Sequence, residues 1–205
     1  MEGEFLQRQQ PKKAAMSNAV IEILTEEPSM ESFLREVLPQ VLPADYQLDI
    51  NCFIRPHEGK SSLQKSIPRK IKAFSNYGYQ VKVLIIHDQD SNDCKILKND
   101  LSKLCESTNI PVVIRIACRE LENWYLGDMQ AIEKVYPESK ATSLTRKAKY
   151  RNPDKVFGAH ELKKMTSNFS KTRASREIPK HMIISSNNSP SFNHFLTGLT
   201  KLISL

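Results

Sequence analysis

The feature that most constrains the fold is an alternation of apolar runs with amphipathic segments along the first 117 residues. Four short apolar runs have the length of strands, and the segments between them place apolar residues three or four positions apart, as helices do. The predicted strands cover residues 19–24, 47–54, 81–86 and 111–117, with predicted helices at 28–41, 62–77 and 92–105 and mostly helices afterwards. This order predicts an α/β fold with a mostly parallel sheet flanked by helices.

Length and composition set the expected domain organisation. A chain of 205 residues buries a core without needing disulfides or metals. We predict a disordered tail over residues 1–16, an α/β core over 17–128, and a basic helical C-terminal extension over 129–205 that packs on the core.

Targeting signals and cysteines indicate the compartment. No apolar run approaches the roughly 20 residues of a membrane span, so no membrane association is expected. The N-terminus lacks the charged start and apolar stretch of a secretory signal, which predicts a cytoplasmic location. The four cysteines show no C-x-x-C spacing, so we expect reduced thiols and no zinc site.

The positive charge is unevenly distributed. The net charge is +7, and residues 139–180 hold twelve Lys and Arg against three acidic residues. This segment is predicted to cradle a phosphate backbone, with Lys163, Lys164 and Arg173 as leading nucleic-acid-binding candidates. The alternative is an ordinary charged helix face, which leaves the substrate class open.

Carboxylates follow three of the predicted strands. Glu26 follows the first, Asp88 and Asp90 follow the third, and Glu122 follows the fourth. Residues two apart in an extended segment point to the same side, so Asp88 and Asp90 are expected to converge on one cation, with Glu26 completing the site. Oxygen ligands of this kind suit Mg²⁺ or Mn²⁺. The alternative is that the two aspartates cap a helix that starts near Ser91.

Motifs for other chemistries are incomplete. Gly59-Lys60-Ser61 resembles the end of a phosphate-binding P-loop, but Ile54 stands where that loop needs a glycine. The chain contains neither an H-E-x-x-H zinc motif nor a G-x-S-x-G hydrolase motif. The carboxylates at the strand ends therefore remain the main candidates for chemistry.

Four segments carry a resemblance to Toprim-like proteins, and the first two of them resemble the Toprim domain in general. Their sequence is E-E-P-S at residues 26–29, D-x-D at 88–90, R-E-L-E-N-W at 119–124 and S-P-S-F at 189–192. Toprim domains, found in topoisomerases, DnaG-type primases, OLD-family nucleases and RecR-like repair proteins, carry a Glu after the first strand and D-x-D after a later one. The chain resembles most a family of small, stand-alone bacterial Toprim-like proteins encoded beside ABC- or SMC-like ATPases.

The resemblance implies a fold and an activity. It implies a Toprim-like, Rossmann-like core and a Mg²⁺-dependent nuclease that cleaves DNA or RNA, tRNA included. A partner ATPase encoded nearby and a role as effector in anti-phage defence are further implications, and homo-oligomerisation is left open. Lys171 is expected to act like the lysine that stabilises transition-state charge in OLD-type nucleases. The rival hypothesis is a non-catalytic Toprim-like adaptor that binds an ATPase or nucleic acid.

Four residues after the fourth strand have two interpretations each. Glu122 is either a catalytic residue that helps the metal or a carboxylate favoured at a helix start. Trp124 is expected to pack against C-terminal helices rather than to stack on a base. Asp128 is expected to cap the next helix, with contact to the site as the alternative. Arg119 is expected to pair with a phosphate or with Glu26, with a structural ion pair as the alternative.

Overall fold

The computed structural model describes residues 15–106 and 109–205 and contains one parallel sheet. The prediction of a disordered tail over residues 1–16 falls almost wholly outside these ranges. The strands are β1 (Val20–Thr25), β2 (Cys52–Pro56), β3 (Val81–Asp88) and β4 (Val112–Ala117), in the spatial order β2-β1-β3-β4. All neighbouring pairs are parallel, which confirms the predicted α/β class with a parallel sheet.

Helices cover both faces of this sheet. Those that alternate with the strands are α1 (Pro28–Val41), α2 (Lys60–Ser75) and α3 (Cys94–Lys103). The later helices are α4 (Glu122–Leu126), α5 (Met129–Val135), α6 (Ala141–Leu144), α7 (Gly158–Met165), α8 (Lys171–Glu177) and α9 (Pro190–Ser204). Short 3-10 helices lie at Pro137–Ser139, Ala148–Tyr150, Pro153–Lys155, Ile178–His181 and Ile184–Ser186. Within the described ranges, no helix has the length and apolar character needed to cross a membrane.

The sheet divides the core into two layers. Side chains such as Ile21 and Leu84 pack against α1 and the C-terminal helices, whereas neighbours such as Leu24 and Val83 pack against α2 and α3. The alternation follows from the two-residue period of a strand, and burial on both faces explains the nearly continuous apolar sequence of β3. The C-terminal extension therefore shares one of the two core layers with α1.

The aromatic contacts confirm two predictions about the C-terminal half. Trp124 is fully buried, its ring centre lies 5.2 to 5.4 Å from those of Phe33, Phe192 and Phe195, and its indole nitrogen donates to Ser191 Oγ at 2.9 Å. Asp128 caps α5 by accepting from the backbone of Ala131, and it also accepts from the backbone N–H of Ile183. Both residues therefore join the core to the extension.

Several local predictions were wrong. The predicted strand over residues 47–54 begins only at Cys52, because Asp49 is left-handed (φ 61°) and the Asn51 side chain holds a turn through the backbone of Gln47 and Asp45. Ser29 does not cap α1, since the helix starts at Pro28 and the cap position is Glu27. Ile96, expected inward, is 65% exposed.

Candidate active site at the carboxyl end of the sheet

The strand order places a topological switch point between β1 and β3. From β1 the chain first moves outward to β2 and then returns to β3 on the other side, so the connections leave the two central strands in opposite directions. Ligands of parallel α/β sheets bind at such switch points, outside the carboxyl ends of the strands. Glu26 directly follows β1, and Asp88 is the last residue of β3.

Glu26 is held against the end of β3. Its side chain is buried, and its Oε2 accepts from the backbone N–H of Asp88 at 3.2 Å and lies 3.1 Å from His87 Nδ1. Burial raises the pKa of Glu26, and the charges of Asp90 and Glu27 raise it further, against the opposing effects of His87 and the Asp88 N–H. The predicted pair is thus brought together at one sheet edge.

Asp88 lies among like charges. Burial of its carboxyl raises its pKa well above the usual range, and the carboxylates of Glu26, Glu122 and Glu27 raise it further. The charge of Lys171 acts in the opposite direction. Asp88 therefore carries a proton at a higher pH than an ordinary aspartate does.

Glu122 and Lys171 come from distant segments to the same place. Glu122 is the first residue of α4 and only 3% exposed, and burial raises its pKa to about 7 despite the opposing charge of Lys171. Lys171 Nζ, at the start of α8, lies 3.7 Å from Glu122 Oε1 and 3.9 Å from Glu27 Oε2. Burial lowers the pKa of Lys171, but the surrounding carboxylates outweigh it and the pKa is raised.

Two buried hydroxyls border the cluster. Among the residues that the structure describes, Thr25 Oγ1 and Tyr125 Oη have no hydrogen-bond partner, although both side chains are almost fully buried. Burial raises the pKa of Tyr125, and the charges of Glu122 and Asp88 raise it further, so the phenol lies close to both. Buried polar groups are normally satisfied, and unpaired ones at a strand end suit a bound ligand.

Asp90 does not occupy the position predicted for it. The expectation that Asp88 and Asp90 point to the same side assumed an extended backbone, which was wrong because Asp90 is left-handed with φ 53°. Its exposed carboxylate pairs instead with Lys60 at 3.1 Å. It stays near the cluster, since its charge raises the pKa of Glu26. The helix-cap alternative was also wrong, because Asp93 caps α3.

His87 and Glu27 belong to the cluster but were not predicted as site residues. His87 is fully buried, and its Nδ1 lies 2.6 Å from the Asp88 carbonyl oxygen, while its Nε2 lies 3.1 Å from the Gln64 amide nitrogen. In the neutral tautomer that satisfies both contacts, Nδ1–H donates and Nε2 accepts. Position directly beside a strand end was the available sequence signal for both residues.

Two of the three leading candidates in the predicted basic cradle have partners within the chain. Lys164 pairs with Glu161 at 3.6 Å, and the Arg173 guanidinium donates to the Val135 carbonyl and lies 4.9 Å from the ring centre of Tyr136. Lys163 is exposed. Of the basic residues singled out in this segment, Lys171 is the one whose ammonium faces the carboxylates.

Arg119, after β4, is also engaged in a contact within the chain. Its guanidinium lies 4.7 Å from the ring centre of Phe157, and its backbone is left-handed with φ 64°. The Arg119 carbonyl accepts from the Asp90 N–H at 2.8 Å. Arg119 thus links the loops after β3 and β4.

The donors of the cluster fit a hard divalent cation by their chemistry. They are carboxylate and hydroxyl oxygens, which Mg²⁺ and Mn²⁺ prefer, and burial and mutual repulsion raise the carboxyl pKa values in the absence of a cation. In the described part of the chain, no three His, Cys, Asp or Glu side chains form a ready-made group to hold a metal ion. Lys60, Lys171 and His87 provide the positive or donor groups around the carboxylates instead.

Comparison with known proteins identifies the family of the chain. No curated protein and no solved structure matches it. A family model described as Domain of unknown function (DUF4276) matches residues 25–200, which is most of the chain, and the protein therefore belongs to this family.

Proposed function

We propose that the protein is a divalent-metal-dependent nuclease that cleaves phosphodiester bonds in DNA or RNA. The observation that carries the proposal is the convergence of Glu26, Asp88 and Glu122, all with raised pKa values, at the β1–β3 switch point. Perturbed carboxylates in a cleft are characteristic of functional sites. The resemblance to Toprim domains, in which such carboxylates bind metal, supports the same conclusion.

Glu26, Asp88 and the nearby Asp90 would hold Mg²⁺ or Mn²⁺. Such an ion polarises the phosphoryl oxygens and lowers the pKa of bound water. The chain would contribute the remaining groups. His87 holds the carboxylate of Glu26, and Lys171 offers a cation to the charge that develops on a phosphate.

Glu122 suits proton transfer. A general acid or base works best when its pKa lies near the working pH, and burial raises the pKa of Glu122 to about 7. The unpaired phenol of Tyr125, one turn later on α4, is placed to donate a hydrogen bond to a ligand or to a carboxylate of the cluster. We assign Glu122 the role of moving a proton and Tyr125 a positioning role.

The resemblance supports a partner as well. The chain resembles small Toprim-like proteins that are encoded beside ABC- or SMC-like ATPases. We therefore propose that it acts in the cytoplasm as the effector subunit of an ATPase-coupled anti-phage system. The chain has no complete nucleotide-binding motif of its own, since Ile54 replaces the first P-loop glycine. A nuclease without an evident specificity element also benefits from control by a partner.

A non-catalytic adaptor is the second candidate, and one observation favours it. Lys60 neutralises Asp90, and Lys171 lies beside Glu122, so ion pairs within the chain balance part of the acidic charge without a metal. An adaptor would need the cluster only for structure. The two candidates differ in whether the carboxylates are needed for function in the cell.

The test is a cleavage assay of labelled single-stranded DNA, double-stranded DNA and RNA, including tRNA, with Mg²⁺, Mn²⁺ or EDTA. We expect slow, metal-dependent cutting by the wild type and none by Asp88→Asn. Asp100→Asn is the matched control, because Asp100 is an exposed aspartate that pairs only with Lys103 among the described residues.

A cellular assay separates the nuclease from the adaptor. The gene is expressed together with the ATPase gene that we propose lies beside it, and phage survival is measured for wild type and the Asp88→Ala/Asp90→Ala double variant. Loss of protection in the double variant supports catalysis. Full protection, with an intact fold, would show that the protein is an adaptor.

A further inference from the structure

A second surface combines cations with exposed aromatic rings. It lies beside the edge strand β2, on the outer side of α2 and the turn that follows it. We call it the α2 patch, and its members are Arg55, Lys65, Arg69, Lys70, Lys72, Tyr77 and Tyr79.

The charge of α2 is entirely positive. The helix carries five Lys and Arg residues and no acidic residue. Lys65, Arg69 and Lys72 follow each other at intervals of four and three, so they share one exposed helix face. In the described part of the chain, Lys60 is the only one of the five with an ion pair. Burial lowers the pKa of Lys70, and the charges of Arg55 and Arg69 lower it further.

Two tyrosines extend this basic face. Tyr77 is 43% and Tyr79 51% exposed, and their ring centres lie 5.2 Å apart. Tyr77 is fixed from below by an edge contact with Phe74, at 5.7 Å. Arg55 donates to the carboxylate of Glu22 and lies 5.0 Å from the ring centre of Phe53, and the phenols of Tyr77 and Tyr79 are near enough to raise its pKa. The result is a supported aromatic platform among cations.

We propose that the α2 patch binds single-stranded nucleic acid, with phosphates along the cations of α2 and bases stacked on Tyr77 and Tyr79. Proteins that bind single strands without sequence preference combine these two elements, a basic track and aromatic rings. Charge complementarity selects a polyanion, and the exposed rings select one with unpaired bases.

The position of α2 links the patch to the carboxylate cluster. The helix of 16 residues is about 24 Å long and begins at Lys60, whose ammonium pairs with Asp90. A strand that follows α2 from the tyrosines toward Lys60 therefore arrives at the carboxyl end of the sheet. The inference rests on the proposed nuclease function and adds the path of its substrate, which the sequence had assigned to the segment 139–180.

The test measures binding of a fluorescein-labelled 20-nucleotide single strand, as DNA and as RNA, by fluorescence anisotropy in EDTA. Tyr77→Ala/Tyr79→Ala is expected to weaken binding about 10- to 100-fold, and Tyr77→Phe/Tyr79→Phe to keep it within about 3-fold, because the rings remain. Lys65→Gln/Arg69→Gln/Lys72→Gln should reduce the slope of log affinity against log salt by about 2. The matched control is Lys95→Gln/Lys98→Gln/Lys103→Gln, which changes three exposed lysines of α3.

The possible results test the patch proposal and the nuclease proposal separately. If the tyrosine-to-alanine variant, with an unchanged melting temperature, binds as tightly as wild type, the patch proposal is wrong. The patch proposal is also wrong if sedimentation shows that the tyrosine-to-alanine variant changes from dimer to monomer while its nucleic-acid affinity stays the same. The binding assay contains EDTA, so it does not depend on metal or on cleavage. If the protein binds through the patch but shows no cutting in the separate cleavage assay, the nuclease proposal is wrong and the patch proposal stands.

Discussion

Two glutamates of low exposure, Glu161 and Glu122, differ in how deeply the protein encloses them and in their ionisation. Both side chains are less than a tenth exposed, and each has a lysine and a tyrosine nearby. Glu161 accepts from Tyr150 Oη at 2.6 Å and from the ammonium of Lys149. Burial opposes ionisation of Glu161, but these contacts outweigh it and its pKa is lowered.

Glu122 lacks the equivalent contacts. Its lysine, Lys171, is 3.7 Å away and shared with Glu27, while the phenol of Tyr125 has no hydrogen-bond partner among the described residues. The pKa of Glu122 accordingly rises to about 7. The deeper burial of Glu122 and its weaker contacts act in the same direction, and together they distinguish a candidate functional site from a structural ion pair.

The largest expected difference between the two regions is catalytic. Asp88→Asn removes a proposed metal ligand and should lower metal-dependent cleavage about 1000-fold, since metal charge supplies several kcal/mol of transition-state stabilisation. Glu161→Gln should leave the rate per folded molecule within about 3-fold. A gel-based cleavage assay compares the two, and equal losses in both variants would remove the functional distinction.

Glu161→Gln, which should hardly affect cleavage, is expected to reduce the stability of the fold. Glu161→Gln breaks a buried carboxylate's bonds to Lys149 and Tyr150 and is expected to lower the free energy of unfolding by about 2 kcal/mol. Urea denaturation at pH 7 measures it. A variant as stable as the wild type would show that the Glu161 contacts do not stabilise the fold.

Glu122→Gln should stabilise the metal-free protein at alkaline pH. A raised folded-state pKa means that the folded protein binds a proton more tightly than the unfolded chain, so the wild type loses stability as pH rises from 4.5 to about 7. This loss sets an upper limit of about 3 kcal/mol on the gain in the free energy of unfolding. We expect a gain of about 1 to 2 kcal/mol at pH 8, because the variant also loses the contact with Lys171. No gain is expected at pH 4, where Glu122 is protonated in both states. A urea titration showing the same difference at both pH values would contradict this account.

The smallest expected effect is stabilisation by metal. Mg²⁺ at about ten times its dissociation constant should add about 1.4 kcal/mol and raise the melting temperature of the wild type by about 2 to 5 °C. Asp88→Asn should not respond, and KCl at matched ionic strength controls for screening. An equal rise in both proteins would indicate that Mg²⁺ acts outside the carboxylate cluster.

Three of the four strands were predictable because apolar runs of their length are buried on both faces. The start of β2 was not, since side-chain hydrogen bonds of Asn51 and the left-handed Asp49 replace the alternating pattern by a turn. The pattern of apolar residues does not reveal such hydrogen bonds or a left-handed backbone. Ile96 illustrates the same limit, because a helix position alone does not reveal whether a neighbour covers it.

The site was predictable where chain topology alone decides position. Parallel strands bring Glu26 and Asp88 to one edge, and the resemblance pointed to Lys171. The predicted orientation of Asp90 was wrong because its left-handed backbone changes the direction of the chain after the strand. The positions of Tyr125 and His87 in the site depend on how α4 and α2 pack, and residue spacing in the sequence does not predict that packing.

The contact between Lys82 and α9 has a consequence for synthesis. The buried ammonium of Lys82, in β3, donates to the carbonyl of Ile203 at 2.7 Å, a partner 121 positions later in the chain. All four strands have been translated by residue 117, so at about 5 to 20 residues per second the sheet waits about 4 to 17 seconds for that carbonyl. Lys171 also arrives late. A nascent chain therefore holds its central carboxylates well before the lysine that faces them, and the assembled cluster marks a chain that has been translated past residue 171.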